Sequence, residues 1–314
     1  MLRIHVIGAV IALAVLSCSS EPPPAEAPAG SDAVVKKVIL VAGATGTQGG
    51  AVARELLDRG YAVRGLTRSP ASDRAMALAR AGAVMVKGDF GDPESLAAAM
   101  KGVYGVFAMT DFWEHGFDAE VAHGRQLADS AAAAEVKHFV YTSVAGAHQN
   151  TGIPHFDSKY EVERYLASTN LKYTIVRPVS FMDNWRYAYE EVQGGEFVDP
   201  RDASSRHQWI AASDIGFFVG EAFDNPTEWQ GLAMDIAGDE MTLGEFLGLV
   251  SERLGQPVVH RQVSWEQYEQ EAGSEMTQMT KWFQDVGYSA DVAELRTRYP
   301  DLTSAKTFLA SLPW

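Results

Sequence analysis

The sequence predicts an α/β fold, a doubly wound parallel sheet of Rossmann type with a smaller C-terminal α/β lobe. Three observations carry that expectation. Residues 37–42 are a β-branched apolar run without polar alternation, the pattern of a strand buried on both faces. A glycine-rich turn and a helix-like stretch follow it directly. Strand-like and helix-like segments then alternate along the chain, as βαβ units do.

The elements follow in order. The turn reads Gly43-Ala44-Thr45-Gly46-Thr47-Gln48-Gly49 and leads into a helix over 51–58 closed by Gly60. Gly43 permits the tight turn, Gly46 lets the backbone approach a pyrophosphate, and Gly49 lets the helix pack close to the strand. The diphosphate would sit on the helix N-terminus, where free N–H groups and the macrodipole favour anions. A second strand over 61–67 ends in Thr67-Arg68-Ser69. An NAD site would place an acidic residue there for the ribose 2′-OH. Arg68 can fork onto a 2′-phosphate instead, which favours NADP(H); the alternative is a solvated surface arginine.

A third strand over 83–88 ends at Asp89-Phe90, where an adenine would lie. Asp92 is an N-cap, with Pro93 opening a helix over 93–100. A fourth strand over 103–109 delivers Thr110, Asp111 and Phe112 over the cofactor crevice. An alanine-rich helix over 117–134 reads as close packing. A fifth strand over 138–142 runs into Ser143, and a sixth over 173–177 ends at Pro178. In the C-terminal half, residues 208–216 read as a return to the Rossmann core, with Ser213 or Asp214 as helix N-cap. A short strand over 231–237 and helices over 242–254 and 265–286 follow. Of the aromatics Trp185, Tyr187, Tyr189, Trp209, Trp265 and Trp282, most read as core and a minority as lining a pocket between lobes.

The 314 residues, 46% hydrophobic and 21% charged, suit one large domain with an appendage. The expected division is a Rossmann domain over 36–190 and a substrate or partner lobe over 191–314, with return segments completing the Rossmann core. A formal net charge of -15 disfavours nucleic acid and anionic headgroups. The expected partners are a small-molecule acceptor or a protein. One cysteine, Cys18, excludes an internal disulfide framework, and no motif implies a metal. Residues 1–18 read as a lipoprotein-type signal peptide: a basic start, an apolar run over 4–16, and Val15-Leu16-Ser17-Cys18, which resembles a bacterial lipobox lipidated at Cys18. Residues 19–35 form a Pro-rich linker. A membrane-anchored bacterial lipoprotein is the expectation; a mis-assigned start codon and a cytoplasmic protein is the alternative.

The whole pattern resembles the short-chain dehydrogenase superfamily in its atypical branches. That superfamily uses a Ser after the fifth strand and a Tyr and Lys in YxxxK on the next helix, the Tyr as proton donor. The resemblance places Ser143 and Lys159 in role and puts His155 at the Tyr position. Tyr160 is one residue from Lys159, which turns it about 100° away on a helix. His155 is the candidate proton relay near neutral pH.

GATGTQGG, GDFGDPESL, TDFWEHG, HFVYTSV, PHFDSKYEVERYL and YTIVRPVSFMDN, in this order, resemble the NmrA-like family from Lys36 to the C-terminus. The resemblance implies an NADP(H)-binding protein, either a redox sensor or regulator with little turnover or, alternatively, an NADPH-dependent reductase of a quinone-like acceptor. It implies that residues 43–48 hold the phosphates, Arg68 the 2′-phosphate, and Asp89 and Phe90 the adenine region. Thr110 to Phe112 would lie along the cofactor, Lys159 would meet the ribose, and Phe181 to Asn184 would flank the nicotinamide. The apparent export signal departs from the family, whose regulators are cytoplasmic.

Overall fold

The computed structural model describes residues 36–314; the signal peptide, the linker and lipidation at Cys18 lie outside the described residues. The first half runs β1 (Val38–Val41), α1 (Thr47–Asp58), β2 (Ala62–Thr67), α2 (Asp73–Arg80), β3 (Val84–Lys87), α3 (Pro93–Met100), β4 (Gly105–Ala108), α4 (Phe112–Ala133), β5 (His138–Thr142), α5 (Pro154–Ala167) and β6 (Tyr173–Pro178). The second half continues with β7 (Ser180–Phe181), α6 (Tyr189–Gln193), β8 (Glu196–Asp199), β9 (Arg206–Ile210), α7 (Ala212–Asp224), α8 (Pro226–Trp229), β10 (Ala233–Ile236) and β11 (Asp239–Thr242). It closes with α9 (Leu243–Leu254), β12 (Val259–Gln262), α10 (Trp265–Ala272), α11 (Ser274–Asp285), α12 (Val292–Arg298) and α13 (Ala305–Ser311).

The main sheet has seven strands in the order β10-β6-β5-β4-β1-β2-β3. Every pairing in it is parallel. Alternate residues of one strand point to opposite faces. Ile39 and Val41 therefore pack with Val52, Leu56, Phe218 and Phe223 of α1 and α7. Leu40 packs on the other side with Leu96, Leu127, Val162 and Leu166 of α3, α4 and α5. Strand order reverses between β1 and β4, so a crevice opens at their C-terminal ends, where α/β sheets bind ligands.

Residues 36–314 form one compact unit. The second half contributes α7 and β10 to the sheet layers. It also builds a three-stranded sheet, β11-β9-β7, and a two-stranded one, β12-β8. A separate cluster of Trp185, Trp209, Phe246, Val250, Phe308 and Leu309 forms its core. Among the described residues no helix is long and apolar enough to cross a membrane.

Several boundaries differ from the sequence expectation. The helix expected over 51–58 begins at Thr47, because Gly50 N–H already bonds Gly46 carbonyl at 2.9 Å. The helix expected over 117–134 begins at Phe112 and kinks at Gly116. The helix expected over 265–286 is two helices, broken where Gly273 takes φ +84°. The N-cap of α7 is Ala211, not Ser213 or Asp214. Asp183 accepts from Ala212 N–H at 2.8 Å and so serves that end from outside the segment. Asp214 instead accepts from the backbone and hydroxyl of Thr303 at 2.8 and 2.7 Å.

Candidate functional site

The site starts at the turn after β1. Gly43 sits at φ +61°, and a Cβ there would lie 2.6 Å from Met109 Sδ. A Cβ on Gly49 would lie 2.3 Å from Gly43 carbonyl oxygen, so the first turn of α1 rests on the turn backbone itself. Gly46 has a different reason. A Cβ there would meet only Gly43 carbonyl oxygen, at 3.3 Å, and otherwise fills open space above the helix. As N-cap it supplies no side-chain bond, so the first N–H groups of α1 remain available to an anion. A cradle with that space and those donors fits a dinucleotide pyrophosphate. Gln48 points inward and donates to Thr142 Oγ1 at 2.7 Å, tying α1 to the end of β5.

Arg68 lies exposed at the end of β2. Its two terminal nitrogens donate to the two oxygens of Glu114 at 2.5 and 2.9 Å. That bond holds the Glu114 carboxyl below its ordinary range. Arg68 follows β2 and Glu114 follows β4, with β1 between them. The pair therefore bridges the crevice above the glycine turn. Asp89 is exposed and accepts from Gly91 N–H at 2.8 Å, while Phe90 meets the His123 ring edge-on at 6.0 Å. Both stay at the β3 end of the sheet, outside the cleft described next.

A cleft of about 710 Å³ gathers Gln48, Thr110, Asp111, Phe112, Ser143, His155, Lys159, Phe181 and Asn184. Residues 44–47 line a second cleft of about 850 Å³, beyond α1, with Arg54, Arg74 and Arg186. Asp111 caps α4 by accepting from Glu114 N–H at 3.2 Å. Thr110 is buried and donates to Glu120 at 2.8 Å. Lys159 donates to the same carboxylate at 2.5 Å, and Ser158 donates to its second oxygen. Glu120 is fully buried, so its charge is compensated wholly by these donors. It holds the Lys159 ammonium at the cleft wall, and with the Thr110 carbonyl at 3.5 Å taking a second N–H, one donor is left for a ligand.

Ser143 is buried in the cleft, and its hydroxyl has no partner. His155 is buried between Phe112, Trp113 and Phe156, at ring distances of 5.7, 4.9 and 4.9 Å. Its Nδ1 pairs with Glu275 of α11 at 2.8 Å. Burial pushes its pKa down while Glu275 pulls it back up. His155 thus tethers α11 to the cleft through Nδ1. Tyr160 does not line the cleft.

The second half supplies the remaining walls: Trp185, Phe197, His207, Trp209, Phe283 and Tyr288, with Arg201. Burial, with the nearby Arg201 charge, keeps His207 neutral by lowering its pKa well below the usual value. Burial likewise raises that of Tyr288. Sequence reasoning singled out Trp185 and Trp209 only among aromatics mostly assigned to the core. It did not single out Glu114, Glu120, Glu275 or Tyr288, and each reads locally as an ordinary residue of its segment.

The Arg68–Glu114 bridge gives a testable expectation. Glu114→Gln frees Arg68 and is expected to tighten NADPH binding about 2- to 5-fold at low salt, the scale of an exposed ion pair. Titration calorimetry with NADPH reads it; unchanged affinity would mean that the bridge does not compete with the nucleotide.

Three kinds of likeness to known proteins bear on the site. The profile of the NmrA-like family matches residues 35–305. An NmrA-like family domain-containing protein of Dictyostelium discoideum is 27% identical over 274 residues, 81% of this chain and 89% of that protein. An NmrA-like family domain-containing oxidoreductase of Aspergillus versicolor is 32% identical over 242 residues, 68% of each. Among solved structures, the triphenylmethane reductase of Citrobacter sp. complexed with NADP(H) superposes with a TM-score of 0.74 at 23% identity, over 87% of this chain and 99% of that one. The negative transcriptional regulator NmrA in complex with NADP also gives 0.74, at 21% identity over 88% and 95%. At that identity the likeness is one of fold.

Proposed function

The chain belongs to the NmrA-like family, and we propose that it binds NADP(H) and reduces a flat, quinone-like acceptor with it. One observation favours this over a sensor with little turnover. The cleft of about 710 Å³ continues from Gln48, Ser143 and Lys159 into an aromatic chamber of a size that takes a small molecule. A sensor needs the nucleotide site and no chamber beside it. The NADP complexes of a reductase and of a regulator on this fold support the cofactor assignment for the site.

In this reading the glycine turn and the N-terminus of α1 take the pyrophosphate, and Arg68 takes the 2′-phosphate after leaving Glu114. Lys159, fixed by Glu120, orients the nicotinamide ribose. Phe181 and Asn184 flank the ring and set which face meets the acceptor. When bound, NADPH supplies the hydride. Phe112 and Phe156 give the cleft an apolar wall against which a flat acceptor packs. Hydride transfer to a quinone depends less on a fixed acid than carbonyl reduction does, which is compatible with His155 where the superfamily has Tyr.

The alternative reading is a regulator, in which the His155–Glu275 pair only tethers α11 to the cleft. NADPH oxidation with a panel of quinones separates the two. Turnover is expected. Arg68→Ala is expected to lower kcat/KM for NADPH about 10- to 100-fold, since bonds to charged groups contribute about 1.5–3 kcal/mol. The same change is expected to leave NADH nearly unaffected. Tight NADPH binding without turnover on any acceptor would favour the regulator.

A further inference from the structure

We propose that Trp209 and His207, on the wall of the cleft contributed by the second half, anchor an oxygen of the acceptor distant from the atom that receives hydride. The proposal rests on the reductase reading and names the acceptor as an aromatic dione whose second carbonyl is held at β9.

The two residues are alternate positions of β9, so their side chains share one face of the strand. Both are buried, and both line the cleft. Their rings lie 4.4 Å apart. The Trp209 indole N–H is a donor with no acceptor. His207 pairs through Nε2 with Ser180 Oγ at 2.8 Å, and its Nδ1 has no partner. Buried polar groups are ordinarily paired, and two adjacent exceptions on one cleft wall mark a place where a ligand atom completes the bonding. Ser143, at the Rossmann end of the same cleft, is a third.

The chemistry of the wall narrows the ligand. An indole N–H accepts nothing, so the ligand atom facing it is an acceptor. Burial keeps His207 without charge. Arg201 beside it is neutralised by Asp199, at 2.9 and 2.8 Å. With the Ser180 hydroxyl donating to Nε2, the neutral His207 ring carries its proton on Nδ1, so the wall offers two N–H donors and no free charge, which suits a carbonyl and disfavours a carboxylate or phosphate. Trp185, Phe197 and Phe283 around it demand a flat apolar body. An acceptor with one oxygen near Ser143 and another near Trp209 satisfies both ends.

The test compares two acceptors, 1,4-naphthoquinone and a triarylmethane dye cation without oxygen atoms. Trp209→Phe keeps the ring packing and deletes the N–H; His207→Phe keeps an aromatic ring and deletes both nitrogens. Each variant is expected to raise KM for naphthoquinone about 5- to 30-fold with kcat little changed. KM for the dye should change less than about 2-fold, as expected where a site built to hydrogen-bond a group loses that bond. Equal effects on both acceptors, or none on the quinone, would overturn the anchor; unchanged NADPH affinity certifies that the variants are folded. If the unaltered protein turns over neither acceptor, the reductase reading fails, and calorimetric titration of naphthoquinone into the NADP⁺-saturated protein decides the anchor by itself. Binding weakened 5- to 30-fold in Trp209→Phe supports it, and no binding to the unaltered protein refutes it.

Discussion

Alanine at Gly49 is expected to remove NADPH binding by more than about 100-fold and to destabilise the protein by roughly 3 kcal/mol, the upper range for an overpacked core. The added Cβ would stand 2.3 Å from the oxygen and 2.6 Å from the carbon of the Gly43 carbonyl, and 2.9 Å from the oxygen of Ala42. All three are backbone atoms at the end of a central strand, so no rotamer change relieves them. Either α1 lifts from the sheet or the turn opens, and both destroy the anion cradle. Gly46→Ala is the informative partner. Its Cβ meets only Gly43 carbonyl oxygen at 3.3 Å, so it should melt near the unaltered protein while obstructing the phosphate space. Thermal melting and NADPH calorimetry on both variants read the contrast. A Gly49→Ala protein with unaltered melting and binding would show that the turn is not built on this contact.

Loss of the Glu120 carboxylate is expected to be as damaging, through charge rather than volume. Glu120→Ala removes the acceptor shared by the Lys159 ammonium and the hydroxyls of Thr110 and Ser158, where Glu120 itself is fully buried, and leaves the ammonium only the Thr110 carbonyl at 3.5 Å. Breaking a buried pair by removing one partner costs about 3–5 kcal/mol. At about 2–4 °C per kcal/mol for a chain approaching this size, melting should fall by about 6–20 °C. The double change Glu120→Leu with Lys159→Met should recover most of that stability, because an apolar replacement of both partners leaves no stranded charge. It should not recover turnover, since the ribose-orienting ammonium is gone. Recovery of both together would deny Lys159 its part in the site.

The glycine turn, the alternation of strands and helices and the position of Arg68 at the end of β2 were legible because each is a local statement. Turn conformation, helix capping and the two-sided burial of parallel strands are set by residues a few positions apart, and they leave a periodic trace in the chain. Asp92 as N-cap and Pro93 at the start of α3 are of that kind. The misjudged ends are where a distant group intervened, as Asp183 does at the start of α7. The break at Gly273 is another kind of miss, since apolar periodicity continues through a glycine that the backbone uses to turn.

What the sequence by itself determined is therefore the family, the βα frame and a set of candidate positions for a dinucleotide. Tertiary structure alone decided what those positions touch. Lys159 meets Glu120 across 39 residues, Arg68 meets Glu114 across 46, and His155 meets Glu275 across 120. The aromatic chamber likewise gathers residues from α4 to the segment after α11. Such partners follow from where helices and strands cross in space. A carboxylate that completes a buried network and one that faces water are the same letter until packing places one of them beside an ammonium.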